Sequence, residues 1–412
     1  MKKLQASALY FALVMALLIS LISGSFILYA HSVRQELLHW DRSDKVVDNC
    51  FSGIALGLNQ DLKDYIPTEL DLYHQFQDSV KLTSKPWGVY ETLTSEAHTG
   101  KHEFSKSVWL GRSIDESFSL YLQDRSKPLA LCGKTYIGGP VYLPKSGVKR
   151  AYIEGQNYQG EQLIYGAVKT SQRSLPKPDA ERIQALHRNL LGQFASDSVL
   201  TYISNDSLNV PFYEKNLVVR ASAGEEYCTG FFEGNVILHF PGKVTIANTA
   251  QLNGVQVFAR EIVVQEGSTL QAQLFATEKI HIEANCNLKH PSAVGLLQPE
   301  NKSVNLEIES GSRIEGITFL INEVEPIRHF STLKIHPDVL LVGQVYTNQD
   351  LDLKGNIHGQ LWCKRMLMKT PSSLYENHLL SVELDIHKLP SDFLTGNLIN
   401  YSNHKSIILW LD

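Results

Sequence analysis

Cysteine is scarce in this 412-residue chain, and the five present, Cys50, Cys132, Cys228, Cys286 and Cys363, are widely scattered. None forms a CxxC pair or has a histidine at zinc-ligand spacing, so neither a zinc ribbon nor a redox dithiol is encoded. Buried free thiols, with at most one disulfide, are their expected state. A surplus of positive charge is also missing: 38 Lys and Arg stand against 43 Asp and Glu, for a formal net charge of -5. Without a basic field to neutralise phosphates, nucleic acid is not an expected partner. The glycines of KTYIGGP, Lys134 to Pro140, are not followed by GK[ST], which excludes a phosphate loop. Serines and histidines occur without a nucleophile elbow. No catalytic, cofactor or metal motif is therefore expected, and the chain does not read as an enzyme.

What is abundant is apolar sequence at the N-terminus. From Leu4 to Ala30 there is no charged side chain, and this run exceeds the roughly 20 residues a helix needs to cross a bilayer core. It is longer than the apolar region of a cleaved signal, about 7 to 15 residues, so a retained single-pass anchor in the lipid bilayer is expected. Lys2 and Lys3 precede the run, and Arg34, Arg42 and Lys45 follow it. The amino terminus adds charge to the short leading tail, and only Arg34 lies close behind the helix. The expected topology is a cytoplasmic N-terminus, with the body on the periplasmic or extracellular side.

Beyond the anchor, Leu37, Leu38, Val46, Val47, Cys50, Phe51, Ile54, Ala55 and Leu58 recur at spacings compatible with a helical turn. The spacing predicts an amphipathic continuation packed on a domain, limited by Pro67. Short aromatic and β-branched stretches follow: WGVYETL from Trp87, SVWLG from Ser107, FSLYL from Phe118 and LALCG from Leu129. Their lengths suit an antiparallel sheet. LQASALYFALVMALL and the helix behind it resemble type IV pilins and the pseudopilins of type II secretion systems, in which a hydrophobic helix runs into one lying on a small antiparallel sheet. The resemblance covers about the first 130 residues. Those families are cleaved before the run, usually after Gly, with Glu five residues into the mature chain. Ala6 stands nearest the Gly position here, and the run has no Glu.

An internal repeat begins at Lys243. Val244, Ile262 and Ile280 fall in register at a period of 18, as do Ile246, Val264 and Ile282, and Leu252, Leu270 and Leu288. The same offsets return as Leu306, Ile308 and Ile314, and as Leu333, Ile335 and Leu341. Stacking such units places each apolar position above its equivalent, forming a core no single repeat could bury. The expected fold is mainly β: a transmembrane helix continuing into an amphipathic one, a small α+β region, and a parallel, right-handed β-solenoid with coils of about 18 residues. The repeat resembles bactofilins and other polymer-forming right-handed β-helices over about 130 residues.

The expected divisions are 1–31 for the anchor and 32–132 for the amphipathic helix and small sheet. A linking region at 133–211 carries a helix near 179–193. The solenoid spans 212–375, with extra turns from Ile137 to Ile164 stacked before it, and 376–412 forms a C-terminal cap. The best weak candidates for chemistry are Asp350 and Asp352, which alternate to one side of a strand around Leu351, with His358 nearby in sequence. Paired acids on a solenoid face could cleave glycans, with Asp338, Lys334 and Lys354 adding charge. A solvated strand face is the competing reading. Tyr346 and Trp362 could stack on sugars, although their repeat positions are those of core residues. The leading expectation is a structural or assembly protein of the bacterial cell envelope, with envelope or pilus-like assembly proteins as partners. An accessory subunit of a membrane complex and a glycan-binding or glycan-cleaving solenoid protein are the alternatives.

Overall fold

The computed structural model describes residues 6–60, 62–72, 78–194, 198–300, 302–324, 331–370, 373–399 and 401–411. Lys2 and Lys3, on which the expected orientation rests, lie outside them. The fold is mostly β, with one long N-terminal apolar helix, α1, Ala6–Leu58. No proline interrupts it, and at about 1.5 Å per residue its 53 residues reach about 80 Å. The side chains from Leu9 to Tyr29 that lipid would cover are exposed, and the helix is long and apolar enough there to cross a membrane. At the other end Asn59 Nδ2 donates to the Ala55 carbonyl at 3.1 Å, satisfying one of the acceptors a helix end leaves open.

Only the last turns of α1 are buried. Val46, Cys50 and Ile54 pack on Val80, Leu82, Leu93, Ala97, Val108 and Leu110; Leu37 and Leu38, expected on the same packed face, are exposed. The contact is close because two helix residues lack a Cβ. A Cβ on Gly53 would lie 2.5 Å from Ser95 Oγ and 2.6 Å from Val80 Cγ1, and one on Gly57 would lie 2.7 Å from Leu93 Cδ2. The sheet beneath is antiparallel, in the order Thr68–Leu70, Asp78–Trp87, Tyr90–Thr99, His102–Ile114, Tyr401–Leu411.

Three expectations about these segments are corrected. The run Trp87 to Leu93 is not one strand: it turns at Gly88, whose φ is +60°, and Trp87 faces Tyr90 across the hairpin. Leu120–Leu122 and Leu129–Cys132 do not join the antiparallel sheet; they pair in parallel with Leu361–Cys363 and His378–Leu380. Finally, the C-terminal strand does not cap the parallel region but pairs with His102–Ile114. In each case the local apolar pattern suits a strand, and a partner distant in sequence decides which sheet receives it.

Most of the remaining strands form one large, mainly parallel set whose pairings close on themselves, while Leu129–Cys132 with its neighbours His378–Leu380 and Val148–Arg150, and the hairpin of Tyr152–Ile153 with Gln156–Asn157, form two small separate sheets. Val244 aligns with Ile262, then Ile280, Leu306, Leu333 and Leu351, all fully buried. Leu270 aligns with Leu288, Ile314, Leu341, Ile357, Leu384 and then Ile137. The segment containing Ile137 therefore adds to the far end of the stack, after the Asn356–Lys369 strand, rather than before the repeat. Leu120 continues it from Leu361, Val141 follows Leu120, and Val168 follows Val141. Glycines form a corner column where Gly316, Gly343 and Gly359 align. A Cβ there would lie 1.9 to 2.1 Å from a carbonyl oxygen of the adjacent strand, and φ is +125° to +149°.

Outside the aliphatic core runs an aromatic column: Phe258, Phe275, Gly295, Phe319, Tyr346, Trp362, Tyr121 and Tyr142 follow one another in register. Gly295 leaves room for Phe275 and Phe319 to approach to 6.2 Å between ring centroids. The antiparallel sheet covers this side. Gln273 accepts from Val89 N and donates to Trp87 O, each at 2.9 Å, while Trp87 Nε1 donates to Gly254 O at 2.9 Å. A second seam is ionic. Glu91 meets Arg112 at 3.0 Å, Arg182 of α2 (Ala180–Leu190) at 3.4 Å and Lys405 at 3.6 Å. Burial alone would raise the Glu91 pKa, but the three cations outweigh it and hold it low.

Candidate functional site

Parallel pairing that stacks apolar side chains inward also stacks polar ones outward, because neighbours along a strand alternate faces. Between Leu306 and Leu353 this yields two polar columns. Asn305, Thr332, Asp350 and Arg365 form one; His281, Glu307, Lys334 and Asp352 form the other. Walls rise over this floor from two distant places. Leu374, Tyr375, Glu376 and His378 come from the hairpin that folds back antiparallel on Leu367 to Lys369. Lys127, Pro128 and Lys149 come from the segment stacked on the far end. Together they line an open-mouthed cavity of about 980 Å³.

Most charges in the cavity are paired. Arg365 donates to both oxygens of Asp350, from Nε at 2.6 Å and Nη2 at 2.8 Å. Glu307 Oε1 accepts from Lys334 Nζ at 2.5 Å and from His336 Nε2 at 2.8 Å. Burial works against the charged form of Glu307, but these two donors prevail and hold its pKa at about 2. Lys127 pairs with Glu376 on the rim. His378 Nδ1 contacts the Glu376 carbonyl at 2.7 Å, and since a carbonyl can only accept, Nδ1 carries a proton.

Asp352 is the exception. Its residue is 6% exposed, it lines the cavity, and its Oδ1 has no hydrogen-bond partner. Burial pushes its pKa up, opposed by the charges of Lys354, Lys334 and Lys369. An ionised carboxylate can only accept, so this oxygen calls for a donor.

The expected candidates are thus divided. Asp350 and Asp352 do share the cavity, yet both are buried rather than part of a solvated strand face. His358 is elsewhere, with Nε2 3.3 Å from Glu383. Tyr346 and Trp362 are buried in the aromatic column at 3% and 1% exposure, so neither offers a face to a sugar. Arg365, Tyr375, Glu376, His378, Lys127 and Lys149 carried no signal in the sequence, because they reach the cavity only through parallel stacking and a folded-back hairpin.

Beside the cavity, His281, Glu307 and Glu309 place ligand atoms within 4.8 Å of one another, the spread a divalent ion could draw together. His336 spans the same carboxylates, with Nε2 on Glu307 at 2.8 Å and Nδ1 on Glu309 at 3.4 Å. The Lys334 ammonium already sits on Glu307, so a metal would have to displace a cation first.

The fold and the cavity define a class: a mostly β protein with one apolar helix long enough to span a membrane and no assembled catalytic constellation among the described residues. No protein family matches the chain, and no curated protein sequence does. Among solved structures, the competence-associated pilin ComZ from Thermus thermophilus matches at 11% identity and a TM-score of 0.24, over 85% of this chain and 87% of that one. A superposition that loose carries no functional inference.

Proposed function

We propose that the chain is a single-pass structural or assembly protein of a bacterial cell envelope, N-terminus in the cytoplasm and body on the periplasmic or extracellular side. The carrying observation is the continuity of α1: one unbroken helix offers an exposed apolar surface from Leu9 to Tyr29 and then enters the core of the antiparallel sheet at Val46. A helix shared by membrane and body holds the two in a defined relation, whereas a flexible linker would only tether them. The helix first touches the body near His39, whose ring lies 4.5 Å from that of His102. From Ala30 that is about 13 Å of bare helix, enough to hold the body clear of the lipid.

In this reading the parallel strands wind as a right-handed β-solenoid with coils of about 18 residues, supported by the pairing of Val244 with Ile262 and of Ile262 with Ile280. Longer coils between Ile280, Leu306 and Leu333 carry their added residues outside the aligned positions. The pilin-like arrangement of helix on sheet belongs to the same proposal, as do envelope or pilus-like assembly partners.

The test is fractionation of the native protein with N-terminal sequencing and protease accessibility in spheroplasts. A chain beginning at Met1, retained in the inner membrane and digested from outside, is the expected result. A start near Ser7 with recovery in sheared filaments would make it a pilus subunit. A soluble chain beginning at His31 would overturn the anchor.

A further inference from the structure

The unpartnered Oδ1 of Asp352 lies on the floor of a cavity large enough for a small organic ligand. What could fill it is narrowed by its neighbours. A bare cation would meet Lys334 and Lys369, whose charges already act on Asp352. A bare anion would meet Asp352 and Glu307. A molecule rich in hydroxyls fits both, since each hydroxyl donates to a carboxylate and accepts from an ammonium. Thr332 and Asn305 extend that polar floor, and the Tyr375 ring stands at the wall. Lys149 and Lys369 have no salt bridge among the described residues, which leaves room for one acid group on the ligand.

We propose that this cavity binds an anionic saccharide, its hydroxyls donating to Asp352 and its carboxylate held by Lys149 and Lys369. The site uses residues from three separate stretches of the chain, so it exists only in the folded protein. An envelope protein held on the outer side would meet such polymers, but the binding chemistry does not depend on that location.

The experiment titrates the full chain in detergent with trigalacturonic acid, a glucuronic acid trisaccharide, the methyl ester of the first, and inorganic phosphate. At least one acidic trisaccharide should saturate with Kd near or below about 1 mM, and the ester should bind at least tenfold more weakly. Asp352→Leu should weaken binding at least tenfold while the melting temperature stays level or rises, because an orphan buried carboxylate gives way to a packed side chain. Exposed Lys149→Ala should reduce the preference for acid over ester and keeps the test valid if the first variant misfolds. Saturation by neither trisaccharide, unchanged affinity in Asp352→Leu, or full displacement by phosphate alone would overturn the proposal. Loss of the membrane anchor in fractionation would leave these binding results unchanged, so the two proposals fail separately.

Discussion

Gly53 offers the sharpest measure of how firmly α1 is seated. In a free helix, Gly→Ala stabilises by about 1 kcal/mol. At Gly53 the new methyl would lie 2.5 Å from Ser95 Oγ, 2.6 Å from Val80 Cγ1 and 3.2 Å from Leu82 Cδ2. All three residues are essentially unexposed, on two neighbouring strands, so they cannot all give way. Overpacking of this kind costs about 1 to 3 kcal/mol, and the wide separation of the clashing atoms favours the upper half of that range. The net expectation for Gly53→Ala is about 1 to 2 kcal/mol against the docked helix. Cys50 reports it directly, because it is fully buried one turn away and its Sγ contacts the Ser95 carbonyl at 3.2 Å. Burial also raises its thiol pKa, suppressing reaction in the closed state. Pulsed thiol labelling read by mass spectrometry should show Cys50 modified about 5 to 30 times faster in the variant, with Cys132, Cys228, Cys286 and Cys363 unaffected. Gly57→Ala should have a smaller effect, since its methyl meets only Leu93, and Gly24→Ala none at this site, since nothing lies within 4 Å of it. Equal Cys50 rates in wild type and Gly53→Ala would refute the close-packed seat.

Glu307→Gln should flatten the acid limb of the stability curve. A carboxylate with pKa lowered from 4.5 to about 2 contributes stability above pH 4.5 that disappears as pH falls toward 2, so the variant should lose less over that window in urea titrations at stepped pH. Glu91→Gln would leave Arg112, Arg182 and Lys405 facing one another without their shared anion, and should cost about 3 to 5 kcal/mol in chemical denaturation. Gly343→Ala would put a methyl 2.1 Å from the Gly316 carbonyl at a φ of +125°. It should destabilise the parallel region by more than about 2 kcal/mol, with hydrogen exchange rising first in Leu340–Leu353 and its neighbours.

The sequence alone determined what depends on local pattern. A long uncharged apolar run is best satisfied as a helix in an apolar environment. The recurrence of Val244, Ile262 and Ile280 made their alignment readable, because residues that repeat must meet their equivalents in a stacked fold. Tertiary structure decided everything that depends on a distant partner. It moved Leu120 and Ile137 to the far end of the stack, carried Tyr401–Leu411 to the antiparallel sheet, and separated His358 from Asp350 and Asp352. It also joined Lys127, Lys149 and Tyr375 into one cavity. Backbone hydrogen bonding gives every exposed strand edge nearly the same chemistry, so the choice among edges rests on shape and burial across the whole molecule. No local stretch of sequence contains that information.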